Sequence, residues 1–95
     1  MAKSQQDVRD EFIQSTFQFL IAELDVGLTF TALAFGIRVR PENKLRATEK
    51  ACRAYDTAIR FRQKFTFDPA QENKLDERQS ELKDLLEQLG EQVRA

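Results

Sequence analysis

The sequence predicts an all-α fold, a three-helix, up-down-up antiparallel bundle with a long first helix. Three observations carry this. Apolar residues recur at helical spacing in three separate segments. The chain holds only three Gly and two Pro, and both prolines stand where a helix would begin. The connectors between the segments are short, which favours antiparallel neighbours. With 95 residues there is room for one core, so residues 1–95 are expected to form a single domain. A hydrophobic fraction of 41% beside 33% charged residues is that of a folded, helix-rich chain and excludes a disordered one.

The first helix is expected over about residues 4–36. Ser4 is placed to cap free backbone N–H groups, and Asp7, Asp10 and Glu11 lie at the positive end of the helix dipole. Two adjacent apolar stripes follow: Ile13, Phe17, Leu20, Leu24, Leu28 and Phe35, and beside them Phe12, Phe19, Val26, Phe30, Leu33 and Ile37. Such a helix packs against two neighbours, with Asp25 and Thr29 on its solvent side. Gly27 either kinks the helix or permits close approach. The window from Phe17 to Ile37 nears the length of a membrane span, but Glu23 and Asp25 near its middle would each cost roughly 3 kcal/mol there. It reads as a core helix, and no membrane partner is expected.

Gly36 suits a helix end, and Pro41 biases Arg40 toward extended backbone before opening the second helix, over about 41–66. This helix separates into three faces: Leu45, Cys52, Tyr55 and Ile59; a small-residue row of Ala47, Ala51, Ala54 and Ala58 that lets a neighbour come close; and a basic row of Arg46, Lys50, Arg53, Arg60 and Lys64. The third helix, over about 68–90, has the clearest start, with Asp68 as cap, Pro69 in the first position and Gln71 completing a capping box. Leu75, Gln79, Leu82, Leu86, Leu89 and Val93 alternate four and three residues apart, a narrow seam expected to pack within the domain, with Gly90 as terminator. From Asp68 onward there are eight acids and four bases, against three acids and seven bases from Pro41 to Phe67, so these two helices are electrostatically complementary. Up-down-up packing gathers Phe12, Phe17 and Phe19 near Phe61, Phe65 and Phe67, the expected main core.

Catalysis is poorly served, because the chain has no histidine and its single cysteine, Cys52, has no base visible in sequence. No enzyme activity, cofactor or metal is expected: there is no phosphate loop and no zinc-ligand pair. Cys52 reads as a buried, inert thiol. With one cysteine there is no internal disulfide, and the N-terminus lacks the apolar stretch of a signal peptide, which makes the cytoplasm the expected compartment. Glu23 lies on an apolar stripe between Phe19 and Val26, and a buried carboxylate must find a partner; Arg62 and the Tyr55 hydroxyl are the candidates by pattern. The basic row raises nucleic acid as a partner, but the net charge of −1 and the pairing of Glu49 with Arg53 and Asp56 with Arg60 make it a solvated face.

The apolar end of the first helix, Phe30, Leu33, Phe35 and Ile37, is the hardest surface for three helices to cover and is the expected interface. The expected function is therefore a noncatalytic protein-interaction or assembly domain, with a protein partner and a homo-oligomer foremost. The alternative is a small-ligand or nucleic-acid binder using Glu23 or the basic face of helix two. Gly27 and Phe30, followed by Ala51, Tyr55 and Ala58, resemble the small and aromatic positions of a tetratricopeptide-repeat helical hairpin. The resemblance implies tightly paired antiparallel helices and protein binding. It covers the first two helices only: the intervening loop region is about a dozen residues longer than in the repeat, Glu23 replaces the usual tryptophan, and Gln63 replaces the closing proline.

Overall fold

The computed structural model describes residues 5–91. It is an all-α bundle of α1 (Gln5–Ala34), α2 (Pro41–Arg62) and α3 (Pro69–Gln88). The start of α1 lies beside the end of α2, where Phe12 meets Phe65 and Phe19 meets Phe61, both with ring centroids 5.6 Å apart. α3 returns alongside α1: Gln71 reaches Gln14, and Arg78 pairs with Asp25. The shorter helices pack chiefly on α1 and less on each other. The molecule measures 56 × 25 × 18 Å, elongated along α1.

The core is built from Leu20 and Leu24 of α1, Ala51, Tyr55 and Ala58 of α2, and Leu75, Leu82 and Leu86 of α3, closed at one end by Phe17 and Phe67. This corrects the expectation of an aromatic main core. The rings pair as topology requires, yet Phe12, Phe19 and Phe61 stay 56%, 43% and 40% exposed. α1 carries two apolar stripes and has only two neighbours; they close over Phe17, Leu20 and Leu24 and leave the second stripe at the rim. Leu45, expected on a buried face, is also exposed. Leu82 lies against Gly27, and the residues after it carry α3 only about 9 Å farther, so α3 stops short of the first turn of α2.

α1 continues unbroken through Gly27, which serves close packing: a Cβ there would sit 2.5 Å from Leu82 Cδ2 and 3.4 Å from Ala54 Cβ. Ala47, Ala51, Ala54 and Ala58 are all buried, as the small-residue row predicts. Two of the sequence boundaries move inward. α1 ends at Ala34, after which the Gly36 N–H donates to the Leu33 carbonyl at 3.1 Å. α2 ends at Arg62 rather than 66, because the Lys64 and Phe65 N–H groups donate three residues back, to Phe61 and Arg62, and tighten the last turn. Leaving the helix there lets Phe67 turn in against Phe17, with centroids 6.3 Å apart.

α3 opens with the predicted capping box. The Gln71 N–H donates to Asp68 Oδ1 at 2.7 Å, and the Asp68 N–H donates to Gln71 Oε1 at 3.1 Å. It closes at Gly90, whose φ of 89° lets the Glu91 and Gly90 N–H groups reach back to the Leu86 and Glu87 carbonyls, a Schellman motif. Ser4 and Val93 lie outside the described residues. By length and composition Val8–Ala34 could also cross a membrane, and one third of its most apolar window is buried in the bundle.

Candidate functional site

The end of α1, the following turn and the start of α2 form an apolar corner beyond the reach of α3. Leu33 is 55% exposed, Phe35 45% and Ile37 fully exposed, while Phe30 is half-buried against the core. Between the helices lies an open cavity of about 480 Å³, whose walls include Phe30, Leu33, Val39 and Ala47. Its rim carries Arg38, Arg46 and Lys50, with no carboxylate among the lining residues. The Lys50 ammonium stands 5.2 Å from the centre of the Phe30 ring, a cation–π contact that ties the basic row of α2 to the apolar surface of α1. Farther along, the Lys64 ammonium lies 5.3 Å from the centre of Phe61, the ring that meets Phe19 edge-on. The basic row therefore flanks the exposed stripe of α1 at both ends, and Arg46, Lys50, Arg53, Arg60 and Lys64 are all exposed.

The polar residues singled out in sequence separate into two places. Glu23 is half-buried on α1. Arg62, expected as its partner, turns instead to α3, where it donates to Gln79 Oε1 at 2.6 Å, Glu72 at 2.6 Å and Asp76 at 2.5 Å. Tyr55 is buried and hydrogen-bonded to the Gln79 side chain, so Tyr55, Gln79, Arg62 and the two carboxylates form one connected network between α2 and α3. Burial by itself would lower the Arg62 pKa, but its hydrogen bonds to Glu72 and Asp76 and their charges outweigh that and raise it. Burial pushes the Tyr55 phenol above its ordinary 10.0, against the lowering effect of the Gln79 hydrogen bond. The spacing of Glu72, Asp76 and Gln79 by four and three residues, beside the leucine seam, was the available signal for this cluster.

Asp25, placed on the solvent side by pattern, forms an ion pair with Arg78 across α1 and α3. Cys52 is half-buried, and desolvation first, then Glu91, Asp56 and Glu49, raise its pKa above 9.0, which keeps it a thiol at neutral pH. Among the described residues no group of three or more Cys, Asp or Glu is arranged to hold a metal ion. The α2–α3 network ties those helices together, whereas the α1–α2 corner leaves apolar surface and positive charge exposed. No protein family, curated protein or solved structure matches the chain.

Proposed function

We propose that this chain is a noncatalytic, cytoplasmic protein-interaction or assembly domain that docks a second copy of itself or a helical segment of another chain on the exposed end of α1. The observation that carries the proposal is the corner of Leu33, Phe35 and Ile37, three large apolar side chains left in water beside an open apolar cavity. Burying their exposed parts contributes roughly 4–5 kcal/mol gross. Association itself costs about that or more, so the docked surface extends beyond these three residues. The resemblance of the α1–α2 pair to a tetratricopeptide hairpin points the same way, toward protein binding.

Light scattering over a wide concentration range tests the self-associating form. Leu33→Glu and Phe35→Glu should lower the associated mass while leaving helical content unchanged, because both side chains are already half in water. Loss of folding in these variants would assign the residues to the monomer core and remove the proposed surface. The alternative, a small-ligand or nucleic-acid binder using Glu23 or the basic face of α2, has the three cations of the cavity rim in its favour. A rise in melting temperature on adding a nonspecific duplex would select it.

A further inference from the structure

The exposed surface of α1 is longer than the corner and has a regular order. Phe12, Phe19, Val26 and Leu33 recur every seven residues, and all are exposed. Four residues before each stands a smaller exposed one: Val8, Ser15, Ala22 and Thr29. Together they alternate four and three apart from Val8 to Leu33, the spacing of a knobs-into-holes seam about 37 Å long. The row is separate from the buried stripe of Phe17, Leu20 and Leu24, so α1 carries one seam for its own bundle and a second that is touched only along one edge, by Phe65 at Phe12 and Phe61 at Phe19. The Thr29 hydroxyl already donates to the Asp25 carbonyl at 3.0 Å, so covering it strands no polar group.

Along the α2 side this seam is bordered by Arg46, which lines one cavity with Leu33, by Lys50, which lies over Phe30, and by Lys64, which lies over Phe61, the ring that meets Phe19. We infer that the seam takes an acidic amphipathic helix from another protein, with apolar knobs between Phe12 and Leu33 and carboxylates facing the basic row of α2. This rests on the interaction-domain reading above and names its partner. A second copy suits the seam less well. An antiparallel copy would bring both α2 helices to one side, basic row against basic row, and a parallel copy would stack each phenylalanine on itself. A membrane surface suits it less as well, since a lipid-facing stripe is broad and apolar whereas every second position here is small and two of them are hydroxylic.

The test uses the full chain and a fluorescently labelled synthetic helix of matching length, with Leu and Ala alternating along its seam and Glu on both flanks, beside a twin carrying Lys for Glu. Anisotropy at low salt should show the Glu peptide binding at least tenfold tighter than its twin, with the ratio shrinking at high salt. Val26→Glu should weaken that binding at least tenfold with the melting temperature unchanged, and Lys50→Glu should narrow the ratio between the peptides. Equal affinity for the two peptides, or binding of neither, overturns the inference. So does preferential binding of the chain to phosphatidylserine vesicles. If instead the chain dimerises and Val26→Glu abolishes the dimer, the inference falls while the interaction-domain reading stands.

Discussion

Replacing Gly27 with alanine tests how closely the three helices approach. At an exposed helical site the change would stabilise by roughly 1 kcal/mol, because glycine is that much poorer a helix former. Here the added methyl would lie 2.5 Å from Leu82 Cδ2 and 3.4 Å from Ala54 Cβ. Leu82 has no exposed surface, so its methyl cannot swing aside without displacing other core side chains. Overpacking of this kind costs about 1–3 kcal/mol, which leaves Gly27→Ala destabilised by about 0–2 kcal/mol after the propensity gain. Leu82→Ala alone should cost about 2–5 kcal/mol through the cavity it opens. In the double variant the new methyl enters that cavity and the helix propensity is recovered, so the combined loss should fall short of the sum by at least about 1 kcal/mol. Urea unfolding followed by far-UV circular dichroism measures all four corners of the cycle. Stabilisation of Gly27→Ala by roughly 1 kcal/mol, with additive effects in the double variant, would refute the close approach.

Asp68→Ala removes the Oδ1 acceptor of the Gln71 N–H while keeping the backbone N–H that donates to Gln71 Oε1, and should cost about 0.5–2 kcal/mol, a fall in melting temperature of several degrees for a domain of this size, whereas Asp68→Asn should retain most of the cap; equal losses in the two would show that the side-chain cap contributes little. Tyr55 is the one tyrosine in a chain without tryptophan, so phenolate absorbance reports it alone. Its pKa is raised in the folded state, which means that the folded chain holds the proton more tightly. The associated stability is fully present below the ordinary value of 10.0 and is lost as pH rises through the folded pKa. The midpoint should lie above 10.0 in buffer and return to it in denaturant, and coincident midpoints would place the phenol in water.

What the sequence could say depended on whether a feature was local. Pro41, Pro69, the Asp68–Gln71 box and Gly90 act through their own backbone neighbourhoods, so the helix starts and the final stop were legible to within a residue or two. The alanine row and the leucine seam were legible too, because their periodicity leaves a single face for packing. α1 was harder. Its two stripes are alike in hydrophobicity, and nothing within the helix says which one the neighbours will cover, so Phe12 and Phe19 were assigned to a core they only border. Arg62 was singled out as the cation of a buried pair, but its partner depended on which helix lay opposite. The row Glu72, Asp76 and Gln79 of α3 held the answer, whereas Glu23 drew notice only because a carboxylate among apolar residues is conspicuous. Leu45 failed for a related reason, since its exposure follows from where α3 ends in space and not from the composition of α2.

That division also separates the surfaces that hold the bundle together from the surface proposed for docking. The bundle is held together by the packing of Leu20 and Leu24 of α1 with Ala51, Tyr55 and Ala58 of α2, by Leu82 against Gly27 and Arg78 with Asp25 on the α3 side, and by Arg62 with Glu72, Asp76 and Gln79 between α2 and α3. The exposed row from Phe12 to Leu33 contributes to the fold mainly through the rim contacts of Phe12 and Phe19. A helix of 30 residues is about 45 Å long, while α3, at 20 residues, covers about 30 Å, and because Gln71 lies level with Gln14 most of the surplus of α1 falls at its start. Substitutions at Val26 and Leu33 should therefore separate binding from folding in a way that substitutions at Leu20 or Leu24 cannot. Should Val26→Glu melt at a markedly lower temperature than the parent chain, the seam would belong to the monomer's own packing, and the surface assigned to a partner would have to be sought elsewhere.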